Sequence, residues 1–178
     1  MISINWLKGF GLWQDLKHKE IELRSVAIGM NSTIDFEKDV HIIMLDYDIK
    51  DISKVKESIK ELQRFFNLSD AFIYSTRNGF HVFFWFDHIP YSRLRMIIDF
   101  AKYVDIKFRY ISRFYDHKSI RVAGKYKERD IKFVEVILSS RKPEEKEIEL
   151  GLMKLKEHAI MMSIYSGVFK KYGLGLEK

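Results

Sequence analysis

The 178-residue chain contains no cysteine and only two prolines. The first absence excludes disulfides and every thiolate zinc site. The second, together with the lack of any Ser/Gly-rich tract, leaves no sign of a flexible linker or a low-complexity region. No apolar run approaches the roughly 18 residues that a membrane span needs, and the first residues lack a charged-then-apolar leader pattern. No internal repeat is visible. What the chain does have is apolar mass. Hydrophobic residues make up 47% and aromatics 15%, too much for a disordered chain and enough for one real core. A single domain spanning 1–178, cytoplasmic and without a membrane partner, is the expectation. The net charge of +6 and a pI near 9.3 suit a polyanionic partner, because Lys and Arg that neutralise phosphates release condensed counterions.

Periodicity supplies the elements. Residues 3–17 carry Trp6, Leu7, Phe10, Leu12, Trp13 and Leu16 in a short helical pattern broken at Gly9 and Gly11. Segment 20–30 alternates loosely as a strand, and Asn31-Ser32-Thr33 is turn chemistry. Residues 40–48 form an apolar, partly β-branched run typical of a strand. Ile52, Val55, Ile59, Leu62 and Phe66 recur at spacings of three and four, which predicts a helix over 52–66 with Asp51 or Ser53 as its cap. Strands at 71–75 and 80–86 flank Asn78-Gly79, a pair that tolerates positive φ in a hairpin. A second amphipathic helix is expected at 92–103, strands at 105–111, 119–123 and 131–139, and a helical segment at about 144–172. This order predicts a small α+β sandwich with helices over one sheet face. The other face is then left free for a site.

Three groups of residues carry potential chemistry. In Asp46-Tyr47-Asp48 the two carboxylates lie at i and i+2 of a strand, hence on one face. Like charges so close repel unless a cation or a proton lies between them, and Mg²⁺ favours one or two carboxylates plus phosphate oxygens. A third acid would complete a two-metal clamp; Asp105 is the first choice, Asp116 the reserve and Glu135 the last. The segment Ser75-Thr76-Arg77-Asn78-Gly79-Phe80-His81 is rich in donors for phosphate oxygens. A two-residue turn would pair His81 with Thr76, whereas a three-residue loop would set Ser75 opposite His81 on one face. The longer loop is expected if both touch one ligand. Downstream, Arg121 interrupts an apolar strand pattern between Ile120 and Val122, so its charge needs a partner. Lys125, Lys127 and Arg129 follow it in a basic turn that can hold a triphosphate or a template backbone.

In this order the motifs resemble the archaeo-eukaryotic primase superfamily, over roughly residues 40–125. Asp46-Tyr47-Asp48 looks like its Asp-x-Asp/Glu strand. Ser75-x-Arg77-x-Gly79-x-His81 is similar to the form in primase small subunits. Val104-Asp105, with Ile120-Arg121-Val122 downstream, looks like the third motif. The resemblance implies a primase-polymerase core with a sheet like that of RNA-recognition modules. It implies DNA primase or polymerase activity, initiating or extending a primer on a DNA or RNA template with NTP or dNTP. Asp46, Asp48 and Asp105 would then be catalytic and hold two Mg²⁺ or Mn²⁺ ions. Ser75, Arg77, His81, Arg121 and Lys125 would bind the incoming nucleotide. The zinc element of many members is excluded by the missing cysteines, and an accessory replication subunit or helicase is a natural partner. Tyr47 is the candidate steric gate.

A rival reading starts from Arg77-Asn78-Gly79-Phe80-His81-Val82-Phe83-Phe84, which also resembles the first motif of RNA-recognition modules. There spaced aromatics stack bases on an open sheet. A single-stranded nucleic-acid-binding module, or a primase-like accessory protein without activity, is therefore the alternative. Metal-independent affinity lost on substituting Phe83 or Trp85 would mark it. A rolling-circle initiator would need a His-x-His metal site, which His81 does not have.

Overall fold

A computed structural model describes residues 27–124 and 131–171. Its strands are β1 (Ala27–Asn31), β2 (Thr33–Asp35), β3 (Val40–Tyr47), β4 (Ala71–Ser75), β5 (Phe80–Ile89), β6 (Ser119–Gly124) and β7 (Lys132–Ile137). Its helices are α1 (Ile52–Phe66), α2 (Tyr91–Phe100), α3 (Ile106–Ile111) and α4 (Glu145–Lys171). The fold is α+β. A five-stranded sheet runs in the order β2-β3-β5-β4-β7, and β1 pairs with β6 in a separate ribbon. All of these pairings are antiparallel. The segment 3–17 and the basic residues Lys125, Lys127 and Arg129 lie outside the described residues.

The central strands are apolar because both of their faces are covered. Ile42 to Leu45 of β3 are 0% exposed. On one face, β3 presents Leu45 and Tyr47 beside Val82 and Phe80 of β5. Here α1 brings Val55, Ile59 and Leu62, and α2 brings Leu94, Ile97 and Ile98. Each such aliphatic side chain, fully buried, contributes roughly 1.5–3 kcal/mol. Asp51 starts α1 by accepting the Ser53 and Lys54 N–H groups at 3.0 and 3.4 Å, and Asn67 ends it in the left-handed region at φ 53°. The stripe and the cap read from the sequence are the ones the helix uses.

The opposite face is not open. There Met44 and Asp46 of β3 lie beside Phe83 and His81 of β5, and Tyr74 of β4 lies opposite His81. Helix α4 crosses this face, packing on β5 and β6. The His158 ring sits 5.0, 5.3 and 5.5 Å from the rings of Tyr74, Phe83 and Trp85. Gly151 permits the approach, because a Cβ there would meet the Trp85 carbonyl and the Phe86 ring at 2.5 Å. The expected one-sided sandwich is thus corrected to a sheet clad on both faces. The physical reason is that Phe83 and Trp85, stacked on each other at 4.4 Å, need a cover, and the C-terminal helix supplies it.

A second correction concerns 105–111, expected as a strand. It is the short helix α3, with Asp105 as its N-cap accepting the Phe108 N–H at 2.7 Å. The alternation of Ile106, Phe108 and Tyr110 with Lys107 and Arg109 imitates a strand. Only Phe108 of these apolar residues is buried, while Ile106 and Tyr110 are exposed. The cap decides against the alternation. No helix among the described residues is long and apolar enough to cross a membrane.

Candidate functional site

The polar end of β3 is where the acids gather. Asp46 is the register partner of His81 across the β3–β5 ladder, and the His81 Nε2 lies 3.5 Å from Asp46 Oδ1. The Asp46 carbonyl accepts the Asp105 N–H at 2.8 Å, which brings the start of α3 to the end of β3. Asp48 follows in the loop before α1. That loop is pressed against the hairpin: a Cβ on Gly79 would collide with the Tyr47 carbonyl and stand 2.8 Å from the Ile49 backbone. Only glycine allows this approach, so the Ser-x-Arg-x-Gly segment holds the acidic loop in place through its backbone.

Electrostatics ties the groups together. Burial, then the charges of Asp105 and Asp48, push the Asp46 carboxyl up to about 6, while Arg121 and Lys118 oppose the rise. Three acids and two cations therefore share one field. Burial pulls the Lys118 ammonium down to about 8 against the attraction of Asp46 and Asp105. Its Nζ donates to the Phe108 carbonyl at 2.8 Å and lies 3.8 Å from the Phe108 ring centroid. Lys118 was not singled out from the sequence. A signal existed, because strand parity from the buried Ile120 and Val122 puts Lys118 on their inward side, where a lysine needs partners.

His81 is 4% exposed, and burial, with Arg121 and His158 adding to it, holds its imidazole neutral down to about 3. It faces Asp46 rather than solvent. Ser75 is separated from it. The register places Tyr74 opposite His81 and Ser75 opposite Phe80, so Ser75 belongs to the α1 face. The hairpin closes over Thr76 to Gly79, with the Thr76 N–H donating to the Gly79 carbonyl at 2.9 Å and the Gly79 N–H to the Thr76 hydroxyl at 3.1 Å. The expected pairing of Ser75 with His81 is corrected on this ground: the Thr76 hydroxyl closes the turn and shifts the register by one. Arg77 stands exposed at the hairpin tip, beside the loop that carries Asp48.

The reserve acids are engaged elsewhere. The Glu135 carboxylate is bound by Lys56 at 2.7 Å, and Asp116 pairs with His117 at 2.8 Å. Tyr47 cannot serve as a steric gate, since it is 0% exposed and its hydroxyl meets Ser58 Oγ at 3.1 Å on the α1 side.

The donor set fits a hard divalent cation in kind, with oxygen donors, half-buried at Asp46 and Asp105 and exposed at Asp48, whose mutual repulsion a cation relieves. Among the described residues, no three His, Asp or Glu side chains stand ready as a ligand group. Asp105 gives one carboxylate oxygen to its own helix, so the three acids share a field without sharing a point. Comparison with known proteins returns no match, whether to a family model, a curated protein or a solved structure.

Proposed function

We propose that the chain is a metal-dependent, template-directed nucleotidyltransferase of the DNA primase/polymerase class, the activity that the resemblance to the archaeo-eukaryotic primases implies. The observation that carries the reading is Asp46. Its carboxyl is raised to about 6 by burial and by Asp105 and Asp48, against the opposing charges of Arg121 and Lys118. Clustered acids with adjoining cations match the charge pattern of a metal-bound triphosphate.

Each residue then has a role. Asp46, Asp48 and Asp105 would hold Mg²⁺ or Mn²⁺. When bound, such ions acidify the attacking hydroxyl and stabilise charge on the leaving pyrophosphate. Arg121 would supply a cationic donor to phosphate oxygens through its planar fork, while Lys118, buried with its ammonium on the Phe108 carbonyl, would add positive charge to the field of the acids. Arg77, exposed at the tip of the hairpin, and Lys125 keep their proposed parts as phosphate contacts. Neutral His81, beside Asp46 on the neighbouring strand, would orient it. Ser75 has no part in this arrangement as it stands.

Two other readings differ in what they predict. A base-stacking module would use Phe83 and Trp85, and both are 0% exposed beneath α4. An inactive accessory protein is favoured by one observation, the commitment of Asp105 to capping α3. The test is primer extension on a template strand with Mn²⁺ or Mg²⁺ and labelled NTP or dNTP, comparing wild type with Asp46→Ala and Asp105→Ala. Metal-dependent product lost in Asp46→Ala supports the reading. No product from wild type with either metal and either nucleotide class would sink it in favour of the accessory role.

A further inference from the structure

The helix that begins beside the acids continues into a ridge with no role in the arrangement above. Ile106, Tyr110 and Phe114 lie four residues apart and are 78, 59 and 64% exposed, with Tyr115 beside them at 59%. The Tyr110 and Phe114 rings meet at 5.0 Å, and the Phe114 N–H donates to the Ile111 carbonyl at 3.1 Å, which carries the turn past the end of α3. Solvated aromatics in such number are unusual, because each leaves a large apolar area in water.

The residues between them are basic. Lys107 and Arg113 are exposed on the same segment, and Arg109 is half-buried with its guanidinium donating to the Ala101 carbonyl at 2.7 Å. Arg113 has one acid, Asp99, at 3.8 Å. From 106 to 118 the only acid is Asp116, and His117 engages it at 2.8 Å. Exposed ring faces interleaved with cations complement a strand that offers unpaired bases and phosphates. A protein partner without acidic residues would use the apolar surface and leave the cations unanswered.

We infer that the ridge of Tyr110, Phe114, Lys107 and Arg113 binds single-stranded nucleic acid and leads it to the acids at Asp46 and Asp105. The identity of this strand as the template rests on the proposed activity. The binding itself does not. Bases stack on Tyr110 and Phe114, while Lys107 and Arg113 track the backbone and release counterions.

Fluorescence anisotropy of a labelled oligothymidylate, in EDTA and without nucleotide, tests this on the full chain. The Tyr110→Ala/Phe114→Ala double variant is expected to bind at least about fivefold more weakly, with an unchanged melting temperature, since both side chains are exposed. Lys107→Gln/Arg113→Gln should lower the slope of log affinity against log salt by about 1.4, at roughly 0.7 per phosphate contact. Asp46→Ala should bind at least as well as wild type. Wild-type affinity in the aromatic variant overturns the inference, as does a wild type that fails to bind. So does a self-association, seen by sedimentation, that the aromatic variant abolishes while oligonucleotide binding stays. Ridge binding without metal-dependent extension would sink the proposed activity alone. Extension with an unchanged template KM in the aromatic variant would sink the ridge alone.

Discussion

Replacing Asp46 with asparagine should stabilise the protein while abolishing the proposed metal-dependent primer extension. In the native fold the Asp46 carboxyl is pushed from 3.8 to about 6 by burial, Asp105 and Asp48. An acid whose folded pKa lies above its unfolded one is penalised for ionising. The penalty is absent below about pH 4, grows as the pH climbs and is complete above about pH 6. A shift of about two units corresponds to roughly 3 kcal/mol at about 1.4 kcal/mol per unit. The side chain is 35% exposed, and solvent screening reduces that to on the order of 1–2 kcal/mol. Asparagine keeps the shape, and its amide oxygen can still face His81. In urea melts at about pH 7.5 with EDTA, Asp46→Asn should therefore be more stable by about 1–2 kcal/mol, and near pH 4 the difference should vanish. Millimolar Mg²⁺ should raise the wild-type midpoint and leave that of Asp46→Asn where it was. A variant that is equally stable or less stable at pH 7.5, or a gain that persists unchanged at pH 4, would refute the repulsion argument.

Other outcomes follow from the same geometry. Lys118 is charged below about pH 8, so under the proposed activity its electrostatic support of a bound phosphate should fade as the pH rises through 8. The KM for nucleotide should climb up to about tenfold by pH 9, and Lys118→Met should show a raised KM with that pH dependence removed. Gly79→Ala drives a methyl into the Tyr47 carbonyl and the Ile49 backbone. A loss of about 1–3 kcal/mol in urea melts, with the proposed activity reduced more than in other hairpin variants, would show the turn positioning Asp48. Gly151→Ala should destabilise by a similar ~1–3 kcal/mol, although alanine is the better helix former; a stabilised variant would mean that α4 does not rest on Trp85. Tyr47→Phe removes one hydrogen bond to Ser58, which still donates to the Lys102 carbonyl at 3.0 Å. It should cost on the order of 1 kcal/mol and leave any preference between NTP and dNTP unaltered in competition assays.

Much of the framework is legible in residue order. The stripe of α1 from Ile52 to Phe66, the cap at Asp51, the run of β3 and the strands 71–75 and 80–86 are local patterns, decided by spacing and by turn chemistry. Segment 105–111 failed for a local reason as well, since six residues with period-two alternation cannot outweigh an aspartate that caps. The rest failed for lack of partners. Nothing in Phe83-Phe84-Trp85 says that α4, more than sixty residues later, will lie on Phe83 and Trp85. An aromatic strand has the same sequence whether its face awaits bases or a helix. The Ser75 register depended on whether the Thr76 hydroxyl would close the turn.

By itself, the sequence determined that Asp46 lies near the end of an apolar strand, that a helix and a hairpin follow, and that cysteine-bound metal has no place in the protein. Those conclusions rest on covalent order and on local patterns of apolar and turn residues. The strand ends at Tyr47, which leaves Asp48 in the loop beyond it and not on the strand face. Only the tertiary structure decided which residues share the field of Asp46. It brought in Lys118, turned His81 inward, set Ser75 on the far face and engaged one oxygen of Asp105 in a helix cap. Burial and Coulomb energies depend on distances through space, and residues tens of positions apart in the chain acquire those distances only when the sheet closes.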